Sequence, residues 1–477
     1  MTAEELKAHL QKGEQVLKTR DDHAPVFLTR AGDSSATDQF ALAADSQCTW
    51  AKPEEEIGTE KLRPRIEPWL TALVQSEHLS LLVGSGLTHA VHAIGPGGDL
   101  PGMSAVTFQS LNHEIEQEAK RTAEVAGRAE GNIEDQIRVA NELLRGLEIL
   151  AATKADGSGE QDQVAALRSD MKAILESFAK SILQGEGNLA KAAAAKREEA
   201  FNYLISFLMS FASRAGTRER LQLFTTNYDR FIEAGADAAG LRLIDRFVGT
   251  LAPVFRASRL DVDLHYNPPG IRGEPRYLEG VARFTKLHGS VDWLANDGSI
   301  RRFGLPFGAP DVAPFLAAPG LTDSDASGLM IYPNAAKDRE TTAYPYVELF
   351  RDFAASICRP NSTVVCYGYS FGDEHINRVL EDMLTIPSAH LVIIAYKDPL
   401  GRIMDTYERL GRHAQITLLI GDHLGDLQAL VDHYLPKPAI DRTTFRMAEL
   451  LKARWGTEPR TASEAETPPA NDEGSPS

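Results

Sequence analysis

Five stretches of this chain place hydrogen-bonding or titratable side chains where an apolar run gives way to glycine or to a helix start. The first is Leu81-Leu82-Val83-Gly84-Ser85-Gly86-Leu87-Thr88. A strand that ends in glycines lets backbone approach a pyrophosphate closely, and N–H groups at a following helix start can hold the anion. A plain tight turn is the alternative, because no third glycine follows at dinucleotide-fingerprint spacing. The second stretch is Phe224-Thr225-Thr226-Asn227-Tyr228-Asp229. Asn227 can donate to and accept from a ribose hydroxyl or a water. Asp229 can equally cap a helix over Arg230–Ala239. The third is Lys286-Leu287-His288-Gly289-Ser290-Val291-Asp292-Trp293. A histidine at a strand end, beside glycine, can show its ring to a cleft, and imidazole chemistry suits general-base work at neutral pH. The fourth is Cys366-Tyr367-Gly368-Tyr369-Ser370-Phe371-Gly372-Asp373-Glu374-His375-Ile376-Asn377. Here Gly368 permits close approach, Ser370 can bond a ribose or phosphate, and Asp373 can cap a helix over Glu374–Leu384. The fifth, Tyr396-Lys397-Asp398, ends a very apolar run and can line an adenosine pocket.

These stretches need a frame that brings strand ends together. Strand-like runs occur at Leu79–Val83, Leu221–Phe224, Leu241–Ile244, Ala282–Leu287, Thr363–Tyr367, Leu391–Tyr396 and Gln415–Ile420. Continuous apolar runs of this length, alternating with helices, fit a parallel sheet covered on both faces, an α/β architecture. Ligands of such sheets bind at the carboxyl ends of the strands. From Asn112 to Ala215 the composition turns to Ala, Glu, Lys, Arg and Leu, which reads as three to five helices inserted between sheet segments. Leu62–Glu77 reads as a helix, and so does Met1–Arg20. Asp21–Glu56 reads as irregular, with one short strand at Pro25–Thr29. Gly95–Gly102 and Asn296–Gly328 read as loops. The resulting division is an arm over 1–60, a core over 61–435 with its insertion at 112–215, a helix over 436–455 and a disordered tail over 456–477.

The chain has 477 residues, with 50 Lys plus Arg against 67 Asp plus Glu, a formal net charge of −17. An acidic surface gains nothing from neutralising phosphates, so direct nucleic-acid binding is not expected. Three cysteines, Cys48, Cys358 and Cys366, form no C-x-x-C pair, which argues against a disulfide framework and a four-cysteine zinc. A polar N-terminus and the lack of long uncharged apolar runs predict a cytoplasmic protein without a membrane span.

Taken together in chain order, Gly84-Ser85-Gly86, Thr225-Thr226-Asn227-Tyr228-Asp229, Lys286-Leu287-His288-Gly289-Ser290 and Gly368-Tyr369-Ser370-Phe371 resemble the motif series of the sirtuin superfamily. The resemblance covers about Leu79–Gly421. It implies a Rossmann-like sheet and NAD as substrate. The Lys286-Leu287-His288-Gly289-Ser290 and Gly368–Ile376 wordings are similar to the bacterial sirtuin-like NADases of anti-phage defence, in which the nicotinamide–ribose bond is hydrolysed. By that resemblance Asn227 positions water or ribose hydroxyls, His288 is the general base and Asp229 supports them. Gly84, Ser85, Gly86 and Thr88 would hold the pyrophosphate, and Gly368, Ser370, Lys397 and Asp398 the adenosine half. Thr226, Gly289 and Asp373 complete the NAD-contacting set. The two cysteine pairs of the deacylases' zinc module are missing between His288 and Gly368, so no zinc is expected. A homo-oligomer is implied, with an ATPase or helicase of the HerA type as a possible partner. Three alternatives stay open: a zinc-free deacylase or ADP-ribosyltransferase, a catalytically silent NAD or ADP-ribose sensor, and an assembly subunit.

Overall fold

The strands form because their apolar residues can be shared between two cores. In a computed structural model of the protein, the description runs from Ala3 to Lys437. It leaves out 20–21, 32–37, 47, 54, 99, 101–103, 126–129, 154–158, 215–217, 259–261, 267–275, 297, 318–320, 322–327 and 331–343. The helix and tail expected beyond 436 therefore lie outside the described residues, save for Lys437. In chain order the elements begin α1 (Ala3–Gln11), β1 (Gln15–Lys18), β2 (Val26–Arg30), β3 (Gln39–Leu42), β4 (Ile57–Gly58), α2 (Thr59–Val74), β5 (His78–Val83) and α3 (Ser85–Ile94). The helical insertion follows as α4 (Asn112–Val125), α5 (Ile133–Ala152), α6 (Gly159–Lys191) and α7 (Ala194–Ala212). Then come β6 (Leu221–Thr225), α8 (Phe231–Ala239), β7 (Arg242–Ile244), β8 (Phe247–Val248), β9 (Val254–Phe255), β10 (His265–Tyr266), β11 (Arg276–Tyr277), β12 (Val281–Lys286), β13 (Trp293–Asn296) and β14 (Ser299–Arg302). The last are α9 (Tyr346–Ile357), β15 (Ser362–Tyr367), α10 (Glu374–Leu384), β16 (His390–Ala395), α11 (Arg402–Leu410) and β17 (Ile416–Ile420).

One sheet of eleven strands runs β4-β3-β2-β1-β17-β16-β15-β5-β6-β12-β7. From β17 to β7 every pairing is parallel. Along β5, Leu79, Leu81 and Val83 enter one core with α2, α3, α7 and α8, while Leu82 enters the other with α9, α10 and α11. In β16, Val392 and Ile394 alternate with Leu391 and Ile393 in the same way. This is the two-faced Rossmann-like α/β architecture read from the sequence. The chain leaves β5 towards β6 on one side and returns at β15 on the other. The connections therefore reverse between β5 and β15, which makes their carboxyl ends a topological switch point.

The N-terminal segment departs from the reading of one long helix and an irregular arm. Gly13 (φ +78°) takes the left-handed conformation that stops α1. Gln15–Lys18 then pairs antiparallel with β17, which sends Leu17 into one core and Val16 into the other. A helical stripe could not have split them. Likewise, the loop expected at Asn296–Gly328 opens with the β13–β14 hairpin, part of a second sheet ordered β13-β14-β9-β8.

His390, at the start of β16, carries a pH dependence. Trp69 Nε1 donates to Thr417 Oγ1 at 2.9 Å, and His390 Nε2 lies 2.8 Å from the same hydroxyl. Burial, with Lys18 adding, pushes the ring down to about 4 from the usual 6.5. The folded state thus resists a proton that the unfolded chain takes up. The stability contribution is full above pH 6.5 and is lost as pH falls towards 4. Unfolding free energies from urea titration at pH 7 and pH 4.5 should differ by about 1–3 kcal/mol less in His390→Gln than in the parent.

Candidate functional site

The sheet order places the five stretches side by side. The ends of β16, β15, β5, β6 and β12 carry Lys397-Asp398, Gly368–Asp373, Gly84–Thr88, Thr226–Asp229 and His288-Gly289 respectively. Helices α3, α8, α10 and α11 start close behind four of these ends.

At the switch point the two glycine turns interlock. A Cβ on Gly84 would lie 2.4 Å from Gly368 O, and one on Gly86 would lie 2.5 Å from Gly368 Cα. Gly368 itself has φ +60°, and its Cβ would meet Gly86 Cα at 2.6 Å. Gly84 N donates to Tyr367 O and Gly86 N to Gly368 O, both at 3.0 Å. These N–H groups are therefore spent inside the protein. The missing Cβ atoms thus let one loop close on the other. Ser85, by contrast, is exposed. Gly84→Ala should destabilise the protein by several kcal/mol, because backbone rather than a movable side chain stands in the way; thermal unfolding checks it.

Asn227 is 8% exposed and its amide is fixed by a directional chain. Its Nδ2 donates to Gly84 O at 3.0 Å and to Thr88 Oγ1 at 3.1 Å. Thr88 Oγ1 in turn donates to Asp229 Oδ2 at 2.7 Å, and Asp229 Oδ1 accepts from Phe231 N at 3.2 Å. A carboxylate only accepts, so the order of donation is set from Asp229 back to Asn227. Both amide hydrogens are committed, and the Asn227 carbonyl oxygen is left as the acceptor for an incoming hydroxyl or water. Thr88→Val breaks this chain and should cost about 1–3 kcal/mol in unfolding free energy, read from urea titration.

Lys286, 2% exposed, braces the same segment from β12. Its Nζ donates to Asp229 O at 2.5 Å, to Glu233 Oε1 at 3.0 Å and to Tyr228 O at 3.4 Å. Burial pushes the Glu233 carboxyl up to about 7, against the pull of Lys286 and with help from Asp292. Three residues after Lys286, Gly289 (φ +93°) lies so close to Met330 O that only glycine fits. This fixes the turn that presents His288. His288 Nε2 lies 2.7 Å from Asp373 Oδ2.

Asp373 is 3% exposed and caps α10, its Oδ1 accepting from His375 N at 3.0 Å and Ile376 N at 3.5 Å. Phe371 in the same loop holds φ +53°, unusual for a bulky residue. Asn377 Nδ2 secures it by donating to Phe371 O at 2.9 Å. Ser370 is exposed. At the far end of the crevice Lys397 is exposed and stands over the Tyr396 ring at 5.5 Å. Asp398 Oδ2 accepts from Ile403 N and Met404 N at the start of α11, which gives it a bracing role, and burial raises its carboxyl. Thr226 is half-buried beside these groups, its N donating to Val83 O at 3.2 Å.

Sequence reading missed three contributors. Arg402 Nη1 would stand 2.7 Å from a Cβ on Gly372, which also lies 3.5 Å from Ser370 Oγ, so a cation flanks the serine. Nothing at a helix's first position signals that. Tyr228 packs between His288 (6.4 Å between rings) and Phe178 of the insertion (5.9 Å). Arg230, directly after Asp229, donates from N to Glu186 Oε1 at 2.9 Å and from Nη2 to Oε2 at 2.5 Å. Glu186 lies in α6 and is fully buried. The insertion is thus pinned to the Asn227 segment.

Among the described residues no group of three or more His, Cys, Asp or Glu could hold a metal ion, and no helix is long and apolar enough to cross a membrane. No curated protein matches the chain. Residues 222–418, which run from β6 into β17 and contain Asn227, His288 and Asp373, match the family model of a SIR2-like domain, and this supports a place in the Sir2 superfamily, whose activities are NAD-related.

Proposed function

We propose that the protein is an NAD hydrolase that cleaves the nicotinamide–ribosyl bond. The observation carrying this reading is that Asn227 and His288 each follow within two residues the end of one of two neighbouring strands, β6 and β12, beside the switch point. In the proposed reaction water adds to the ribose C1′ as the C–N bond breaks. Nicotinamide leaves with the bonding pair, and the water gives up a proton. The Asn227 carbonyl oxygen orients the water or a ribose hydroxyl, and His288 takes the proton. Asp229 acts through Thr88 on Asn227. Ser85 and Ser370, exposed just past β5 and β15, and Arg402 near Ser370 take the pyrophosphate and the adenosine half. The same reading has NAD depletion serving anti-phage defence, by a homo-oligomer with an ATPase or helicase of the HerA type as its partner.

Purified protein incubated with NAD and no acceptor should release nicotinamide and ADP-ribose, separated by chromatography. Turnover that needs an added acylated peptide or protein acceptor would replace the reading with deacylation or ADP-ribosyl transfer. NAD binding in a titration without turnover, with and without the partner ATPase, would replace it with a sensor.

A further inference from the structure

We propose that Asp373 is the positioning residue of His288, fixing its ring tautomer so that Nε2 carries the hydrogen and Nδ1 is the basic nitrogen. The proposal deepens the hydrolase reading, and only its kinetic test rests on that reading.

The loop after β15 carries Asp373 past the ends of β5 and β6 to reach His288, three strands away in the sheet. The two oxygens of this buried carboxylate have separate partners. Oδ1 is spent on His375 N and Ile376 N at the start of α10, and Oδ2 lies 2.7 Å from His288 Nε2. A helix cap alone would not require a loop that holds Phe371 at φ +53°. That loop is braced at both ends of its turn. Tyr369 Oη donates to Asp373 O and Asn377 Oδ1, both at 3.2 Å, and Asn377 Nδ2 secures Phe371 O. The carboxylate is therefore held at a set place. It can only accept, so the neutral ring must offer it N–H at Nε2. Nδ1 is then the nitrogen with a lone pair for a proton from water or a ribose hydroxyl.

The split of the two oxygens makes Asp373→Asn a sharp test. The cap keeps the amide oxygen on His375 N and Ile376 N, since only an oxygen can accept there. The amide nitrogen then faces His288 and can only donate. Nε2 must become the acceptor and the hydrogen moves to Nδ1, so the tautomer inverts while the cap survives.

The test uses the full chain with ¹⁵N-labelled histidine, one of 13 in the sequence, assigned by its loss in His288→Gln. Spectra at alkaline pH should show the Nε2–H form in the parent and the Nδ1–H form in Asp373→Asn, with the melting temperature within about 2 °C. In the NAD assay Asp373→Asn should lose about 10²–10⁴-fold in kcat with little change in KM. A parent ring in the Nδ1–H form, or a tautomer that Asp373→Asn does not change, overturns the proposal. So does an inverted tautomer with parental kcat. If the parent itself consumes no NAD, the hydrolase reading fails and the spectra alone decide the role of Asp373.

Discussion

His288→Ala should lower NAD consumption by about 10²–10⁴-fold without unfolding the protein. The ring is half-buried at a turn whose shape comes from Gly289 and Met330, and Asp373 retains its cap on α10 without it. Asn227→Ala should match that loss. Its two amide hydrogens are committed to Gly84 O and Thr88 Oγ1, so the oxygen it removes is the one left to orient a water. Both variants should bind NAD about as well as the parent, because the proposed contacts to the pyrophosphate and the adenosine half come from Ser85, Ser370 and Arg402 and not from these two residues. Circular dichroism, NAD titration and product chromatography on the same preparations separate these effects. Folded variants with near-parental turnover would remove both residues from the reaction.

The second large effect is on stability. Glu186→Ala should cost about 3–5 kcal/mol, because it strands the buried Arg230 guanidinium without its counter-charge. Arg230 also donates to Leu305 O and Pro306 O, and Glu186 accepts from Gly308 N. Losing the carboxylate therefore loosens three segments together. Replacing both partners by methionine should recover much of the loss, since the price of a buried lone charge is gone. Urea unfolding of Glu186→Met, Arg230→Met and the double variant, beside Glu186→Ala, reads this directly. A Glu186→Ala protein as stable as the parent would show that the insertion is not held through this pair.

The parts of the site legible in the sequence were those written locally. Each strand end couples an apolar run to a glycine or a cap residue, and that punctuation is visible without neighbours. The helix Glu374–Leu384 was bounded correctly because Asp373 precedes a stripe of Ile376, Leu380, Met383 and Leu384. What escaped depends on residues far apart in the chain. Arg230 and Glu186 are separated by 44 positions and His288 and Asp373 by 85, and neither pair has a spacing rule. The strand expected at Pro25–Thr29 is β2, but β1, β3 and β4 are short and partly polar, and only their place in the antiparallel edge of the sheet makes them strands. The glycines at the switch point were seen, but whether a glycine meets a ligand or another loop is decided by the loop.

The pairing of β1 with β17 has a consequence for how the molecule is made. Gln15 accepts from His423 N across 408 positions, so the edge of β1 that faces β17 stays open, with β2 alone beside the strand, until those residues have been made. At 5–20 residues per second that wait is roughly 20–80 s. Closure over such a span is entropically slow and comes late. The ordering of the Gln15–Asp422 corner then marks the completed sheet.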